Sequence, residues 1–102
     1  MASARIELSR RAQRDLRALK GTPEVARIID ALDRIARGAE NLDAKALQGA
    51  APWLRLRVGD FRVLYRPLTP EEVRAVPGSA LAGFLVARVV NRRDLDRAIE
   101  SL

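Results

Sequence analysis

The stretch from Trp53 to Arg66, WLRLRVGDFRVLYR, holds the residues best suited to chemistry: four arginines, a tryptophan, a tyrosine and an aspartate within fourteen positions. Guanidinium stays charged at every accessible pH and grips two oxygens of a phosphate or carboxylate at once, so closely spaced arginines make an anion-binding row. The same permanence makes arginine a poor proton carrier. The chemistry open to this stretch is therefore charge stabilisation before acid–base work.

Apolar and basic residues alternate with period two on both sides of Gly59-Asp60, which predicts a β-hairpin closed by a II′ turn. Val58 then faces Phe61, Arg57 faces Arg62, Leu56 faces Val63, Arg55 faces Leu64, Leu54 faces Tyr65 and Trp53 faces Arg66. One face is Leu54, Leu56, Val58, Phe61, Val63 and Tyr65. The other is Trp53, Arg55, Arg57, Arg62, Leu64 and Arg66. Arg57 opposite Arg62 sets like charges across a ladder, which destabilises a sheet unless something compensates. A bound anion would do so, and so would water over the solvated side of a half-buried sheet. The hairpin by itself fits both.

The elements around it must position these side chains. A chain of 102 residues makes one domain, 1–102, with a single modest core. Its composition, 48% hydrophobic and 31% charged, is that of a globular protein. There is no Cys and no His, which removes disulfides, thiolate metal sites, the commonest zinc ligand and the commonest acid–base group at neutral pH. No metal and no cofactor is expected. Net charge is +6, and 17 of the 19 basic residues are Arg, the exceptions being Lys20 and Lys45. That balance suits a nucleic-acid or acidic-protein partner, although a GC-rich genome also favours arginine codons. The N-terminus lacks the apolar run of a signal peptide and no segment reaches a membrane span, so no membrane association and a cytoplasmic location are expected.

In chain order, Ala4–Leu8 reads as a short strand and Ser9 as the cap of an amphipathic helix that ends near Lys20-Gly21. Thr22-Pro23 opens a second helix with an apolar stripe from Val25 to Ala36, stopped by Gly38. The short link predicts an antiparallel helical hairpin. Residues 38–52 read as irregular, with a partial turn anchored by Leu47. After the β-hairpin, Thr69–Ala80 reads as a surface loop with room for a helical turn, and Leu81–Val90 as a central strand. Alternation sets Arg88 in line with Phe84, Val86, Val90 and Arg92. Asn91 then caps a last helix whose apolar side is Leu95, Ala98, Ile99 and Leu102. The expected fold is α+β: an N-terminal strand, a helical hairpin, an antiparallel three-stranded meander and a C-terminal helix.

This order of elements, with SRRAQRDLRAL, KALQGA, LRLRVGDFRVLYR and VVNRRDLDRAI, resembles the RelE/ParE superfamily of bacterial type II toxins over nearly the whole chain. RLRVGDFRVLYR is its most specific piece. The resemblance implies a toxin held inactive by a cognate antitoxin that wraps it. Members of the RelE branch cut messenger RNA on the ribosome and block translation; members of the ParE branch inhibit DNA gyrase; fold alone does not choose between them. An inactivated member that only binds its antitoxin is a third reading.

Carried across by the resemblance, Arg62 matches the arginine placed on the scissile phosphate, Arg55 and Arg57 match neighbouring basic positions, and Arg92 matches the arginine before the final helix. Trp53 and Asn91 stand where many members have Lys and His, and no Tyr stands near Asp96. RNA cleavage without a metal needs a base, a stabiliser for the charge on phosphorus and an acid. Arg55, Arg62 and Arg92 are the expected stabilisers, with Asp96 as the carboxylate assigned to the catalytic set. Asp60, Asp94 and Tyr65 are the other candidates; Asp60 suits the turn, Asp94 and Asp96 alike suit the first turn of a helix, and Tyr65 falls on the core side. Arg55, Arg57, Arg62, Arg88, Arg92 and Trp53 form the expected RNA-binding set. Trp53 fits either a stacked base or an edge aromatic covering the sheet.

Overall fold

Alternation, the Gly-X break and the capping residues each find their element in the computed structural model, which describes residues 4–76 and 82–102. In chain order these are β1 (Arg5–Leu8), α1 (Arg10–Ala18), α2 (Pro23–Ala36), β2 (Ala44–Ala46), β3 (Leu54–Val58), β4 (Phe61–Pro67), α3 (Pro70–Arg74) and β5 (Gly83–Asn91). A single 3-10 turn, Arg92–Asp94, then leads into α4 (Leu95–Glu100). The strands form one sheet in the order β1-β5-β4-β3-β2, with β1 parallel to β5 and every other pair antiparallel.

The hairpin of β3 and β4 takes the register read from its alternation, from Leu54 opposite Tyr65 to Val58 opposite Phe61, with Arg57 opposite Arg62. Gly59 has φ +59 and Asp60 has no positive φ. Positive φ at the first turn residue alone is the II′ arrangement, which only Gly enters without a steric cost.

Because side chains alternate, the sheet has two packed faces. On one, Leu56, Val63, Tyr65, Val86 and Val89 meet Ala12, Ile28, Leu32 and Ile35 of the helical hairpin. On the other, Leu64 and Val90 meet Ala98 of α4, with Leu47, Leu95 and Ile99 at the margin. This second, smaller cluster seats the short terminal helix, which could not persist unpacked.

Four expectations change. Residues 44–46 are not part of an irregular stretch but a fifth, edge strand, paired from Ala44 opposite Leu56 to Ala46 opposite Leu54. Arg88 does not share a face with Phe84 and Val86. The β4–β5 register shifts between Leu64 and Tyr65, so that Leu64 pairs with Arg88 and Tyr65 with Val86. The unpaired Ala87 is a β-bulge, and it turns Arg88 to the side of Leu64 and Arg62. The last helix does not start directly at Asn91: the Asn91 side chain accepts the amide of Arg93 and caps the 3-10 turn first. The strand expected from Leu81 is seen from Gly83, while Leu81 and residues 77–80 lie outside the described residues.

Candidate functional site

The turn chemistry at Gly59-Asp60 and the cap at Asn91 together gather the arginines. Phe61 pairs with Asn91, and the backbone amide of Arg92 donates to the carbonyl of Asp60 at 2.8 Å. The start of the terminal helical segment is thereby fastened to the hairpin turn. Arg92 comes to lie beside Asp60, Nε to Oδ1 at 3.8 Å, with both side chains largely exposed.

Arg62 is the centre of the cluster. Its Nη1 donates to the carbonyls of Gly59 and Phe61, each at 2.9 Å, so the guanidinium is held over the turn. Partial burial lowers its proton affinity, and so do the charges of Arg57, Arg55 and Arg92; Asp43 opposes them. Three guanidiniums acting on a fourth is repulsion that an anion would relieve. Among the described residues, no carboxylate forms an ion pair with Arg55, Arg57 or Arg62.

Tyr65 is buried, 4% exposed, with its ring edge-on to Phe84 at 5.7 Å between centroids. Burial raises the phenol above its ordinary value, which keeps it protonated as a packing group. Asp96 stands exposed in the first turn of α4, where a carboxylate suits the helix dipole, and it is not among the charges that act on Arg62.

Arg88 is brought elsewhere. Its Nε and Nη2 grip Asp15 of α1 at 2.9 and 3.2 Å, and the Val89 amide donates to the same carboxylate at 2.9 Å. Asp15 thus satisfies the Val89 amide, which lies past the end of the β1–β5 pairing at Val86, and its hydrogen bond holds Arg88 above its ordinary value. Sequence reasoning gave Asp15 no role; the signal was a lone acid among the arginines of α1, with nothing to identify a partner 73 residues away.

Trp53 stands at the far end of β3 under Arg66, whose guanidinium carbon lies 5.4 Å from the ring centroid. Arg66 in turn makes a two-pronged bridge to Glu72 at 2.7 and 3.1 Å. Glu72 also accepts the Thr69 amide at 2.8 Å, closing the capping box of α3. The Arg66 hydrogen bond and then the Thr69 amide pull the Glu72 carboxyl down from 4.5 to about 2. A depressed carboxyl stabilises the fold fully above its unfolded value and loses that contribution as pH falls toward its folded value. Stability is therefore expected to decline from about pH 4.5 to about pH 2. Urea midpoints measured across that window should show a shallower decline for Glu72→Gln.

No group of three or more His, Cys, Asp or Glu able to hold a metal ion occurs among the described residues. None of the described helices is long and apolar enough to cross a membrane. The site thus brings together Arg55, Arg57, Arg62 and Arg92, leaves Trp53 directly before the same strand, commits Arg88 to Asp15 and leaves Asp96 outside the charges that act on Arg62.

Residues 6–76 match the model of the ParE toxin of type II toxin-antitoxin system, parDE. No curated protein matches the sequence. Among solved structures, the RelB-RelE antitoxin-toxin complex from Methanococcus jannaschii aligns with 89% of this chain and 95% of its own at TM-score 0.62 and 16% identity. The archaeal RelE-RelB complex from Pyrococcus horikoshii OT3 aligns with 88% and 96% at TM-score 0.58 and 19% identity. At such identities the likeness is one of fold.

Proposed function

The chain belongs to the ParE toxin family of type II toxin-antitoxin systems, within the RelE/ParE superfamily; from its arginine face, and not from the family name, we propose that it holds RNA phosphates there, cuts messenger RNA on the ribosome and so inhibits translation. A cognate antitoxin is its proposed partner, since both solved structures above are complexes of that kind.

The observation that carries this reading is the geometry at the turn, where Arg57 lies opposite Arg62, the Arg62 guanidinium is held over the Gly59 and Phe61 carbonyls and the Arg92 amide is fastened to Asp60. A planar guanidinium fork matches the two non-bridging oxygens of a phosphodiester, and paired guanidiniums stabilise best the extra charge that appears when a 2′-hydroxyl attacks phosphorus. Arg62, Arg55 and Arg92 supply that stabilisation; Arg57 widens the grip on the strand. The proton falls to Asp60, the exposed carboxylate beside Arg92, which takes it from the 2′-hydroxyl and returns it to the leaving 5′-oxygen; the Tyr65 hydroxyl lies in the core.

Purified protein incubated with translating ribosomes should produce new message ends inside the coding region, and DNA supercoiling by gyrase should be unaffected. Intact message at a dose that arrests growth would refute the ribonuclease reading. The second reading, gyrase inhibition, is favoured by the name of the matched family and by the lack of a strong proton carrier in the cluster; blocked supercoiling with intact message would establish it.

A further inference from the structure

Trp53 lines a recess of about 220 Å³ together with Ser9, Arg10, Arg11, Ala87 and Leu102. Its floor is apolar. Leu102 is 39% exposed although it is a large hydrophobic residue, so the recess leaves apolar surface in contact with water. Its mouth is basic: Arg10 and Arg11 are exposed and have no ion pair among the described residues, whereas the charge of Arg88 on the same wall is offset by Asp15. The end of α1 is already capped by the Ser9 hydroxyl, which accepts the Ala12 amide and donates to the Ala87 carbonyl. The positive charge at the mouth is therefore that of the side chains.

One face of the indole is occupied by Arg66, which Glu72 and the capping box of α3 hold in place. A ring fixed from behind by a tethered cation loses little freedom when something stacks on its other face. The volume is below the range typical of sites for drug-sized ligands and suits a single planar group. Alternation puts Trp53 on the same face of β3 as Arg55 and Arg57, and the four-residue step from Trp53 to Arg57 spans about 13 Å. That is the reach of a short run of extended single strand.

We propose that the recess beside Trp53 is a base-binding subsite, in which one unpaired nucleobase of an RNA strand stacks on the indole while its phosphates run over Arg10 and Arg11 on one side and Arg55, Arg57 and Arg62 on the other. It rests on the reading of the arginine face as an RNA-phosphate surface and adds to it the place where a base is held. Stacking tolerates every base, since each has a π-face, so the subsite fixes register along the strand more than sequence.

Trp53 is the single tryptophan, so its emission reports the recess directly. A short oligoadenylate should quench that emission to saturation. An abasic oligonucleotide of equal length should bind through its phosphates with little quenching. Trp53→Leu should weaken oligoadenylate binding about tenfold and leave abasic binding unchanged, while Trp53→Phe keeps most of the affinity. Oligoadenylate binding without quenching, and with Trp53→Leu unaffected, would overturn the base subsite and leave the phosphate surface standing. No binding of either oligonucleotide would remove both. Quenching by an acidic aromatic peptide and not by oligoadenylate would assign the recess to a protein partner and overturn the proposal.

Discussion

Arg62→Ala is expected to abolish growth arrest and to lower message cleavage by roughly 100-fold, the loss typical of removing one preorganised donor from a developing oxyanion. The size of the effect follows from the position of the side chain. Arg62 lies opposite Arg57 in the ladder, and partial burial together with the charges of Arg57, Arg55 and Arg92 lowers its proton affinity. Its two bonds to the Gly59 and Phe61 carbonyls aim the guanidinium before any ligand arrives. The fold should survive, because these are exposed or half-buried bonds at a turn whose shape Gly59 already sets. A loss of about 1 kcal/mol, or a melting midpoint lower by about 5 °C, is the expected structural cost. Arg62→Lys keeps the charge and loses the fork, so it should retain RNA binding and recover only part of the cleavage. Cleavage assays on ribosomes, with thermal melting of both variants, check the whole set.

The second large effect is on the fold. Gly83 is the first residue of β5 and pairs with Arg5 of β1, the one parallel contact in the sheet. A Cβ there would lie 2.2 Å from the Arg5 carbonyl oxygen and 2.9 Å from Leu68 Cδ1. The first neighbour is backbone and cannot swing aside. Gly83 also accepts the Leu68 amide at 2.8 Å, so it cannot itself retreat without breaking that bond. Gly83→Ala is expected to destabilise the protein by about 3 kcal/mol, the upper part of the usual range for overpacking, and to lower the melting midpoint by about 15 °C. Circular dichroism on heating measures it. An unchanged midpoint would mean that β1 can shift along the sheet without loss.

The parts of this architecture that were legible in the sequence are those encoded locally. The β3–β4 register follows from alternation around one Gly-X turn, and it places Arg57 against Arg62 without any knowledge of the rest. Ser9 and Asn91 announce helical starts through side-chain caps, and Thr22-Pro23 does so through Pro at the first helical position, because such chemistry is a matter of a few consecutive residues. β2 was not legible: three residues, Ala44–Ala46, have too little pattern to stand out, and pairing to β3 alone holds them in a strand. The bulge at Ala87 was hidden because one extra residue leaves an apolar run looking continuous. That is why alternation grouped Arg88 with Phe84 and Val86 as well as with Val90, and why the grip of Asp15 on it came only with the fold.

The candidate site divides in the same way. Arg55, Arg57 and Arg62 are neighbours by local register, but Arg92 joins them through a single long-range link, the bond from its amide to the Asp60 carbonyl. Nothing in the alternation of β5 announces that link. Family resemblance supplied Arg92, and the turn-to-cap contact supplies its physical reason.

The salt dependence of RNA binding counts the phosphates that the arginine face holds. If Arg55, Arg57, Arg62 and Arg92 each neutralise one phosphate, these four should contribute about −3 to the slope of log affinity for a single strand against log salt, with any contact at Arg10 and Arg11 adding to it. Replacing any one of the four by Ala should reduce the slope by about 0.7. A slope near zero, or one that Arg62→Ala and Arg57→Ala leave unchanged, would contradict the account of this face as a phosphate-binding surface.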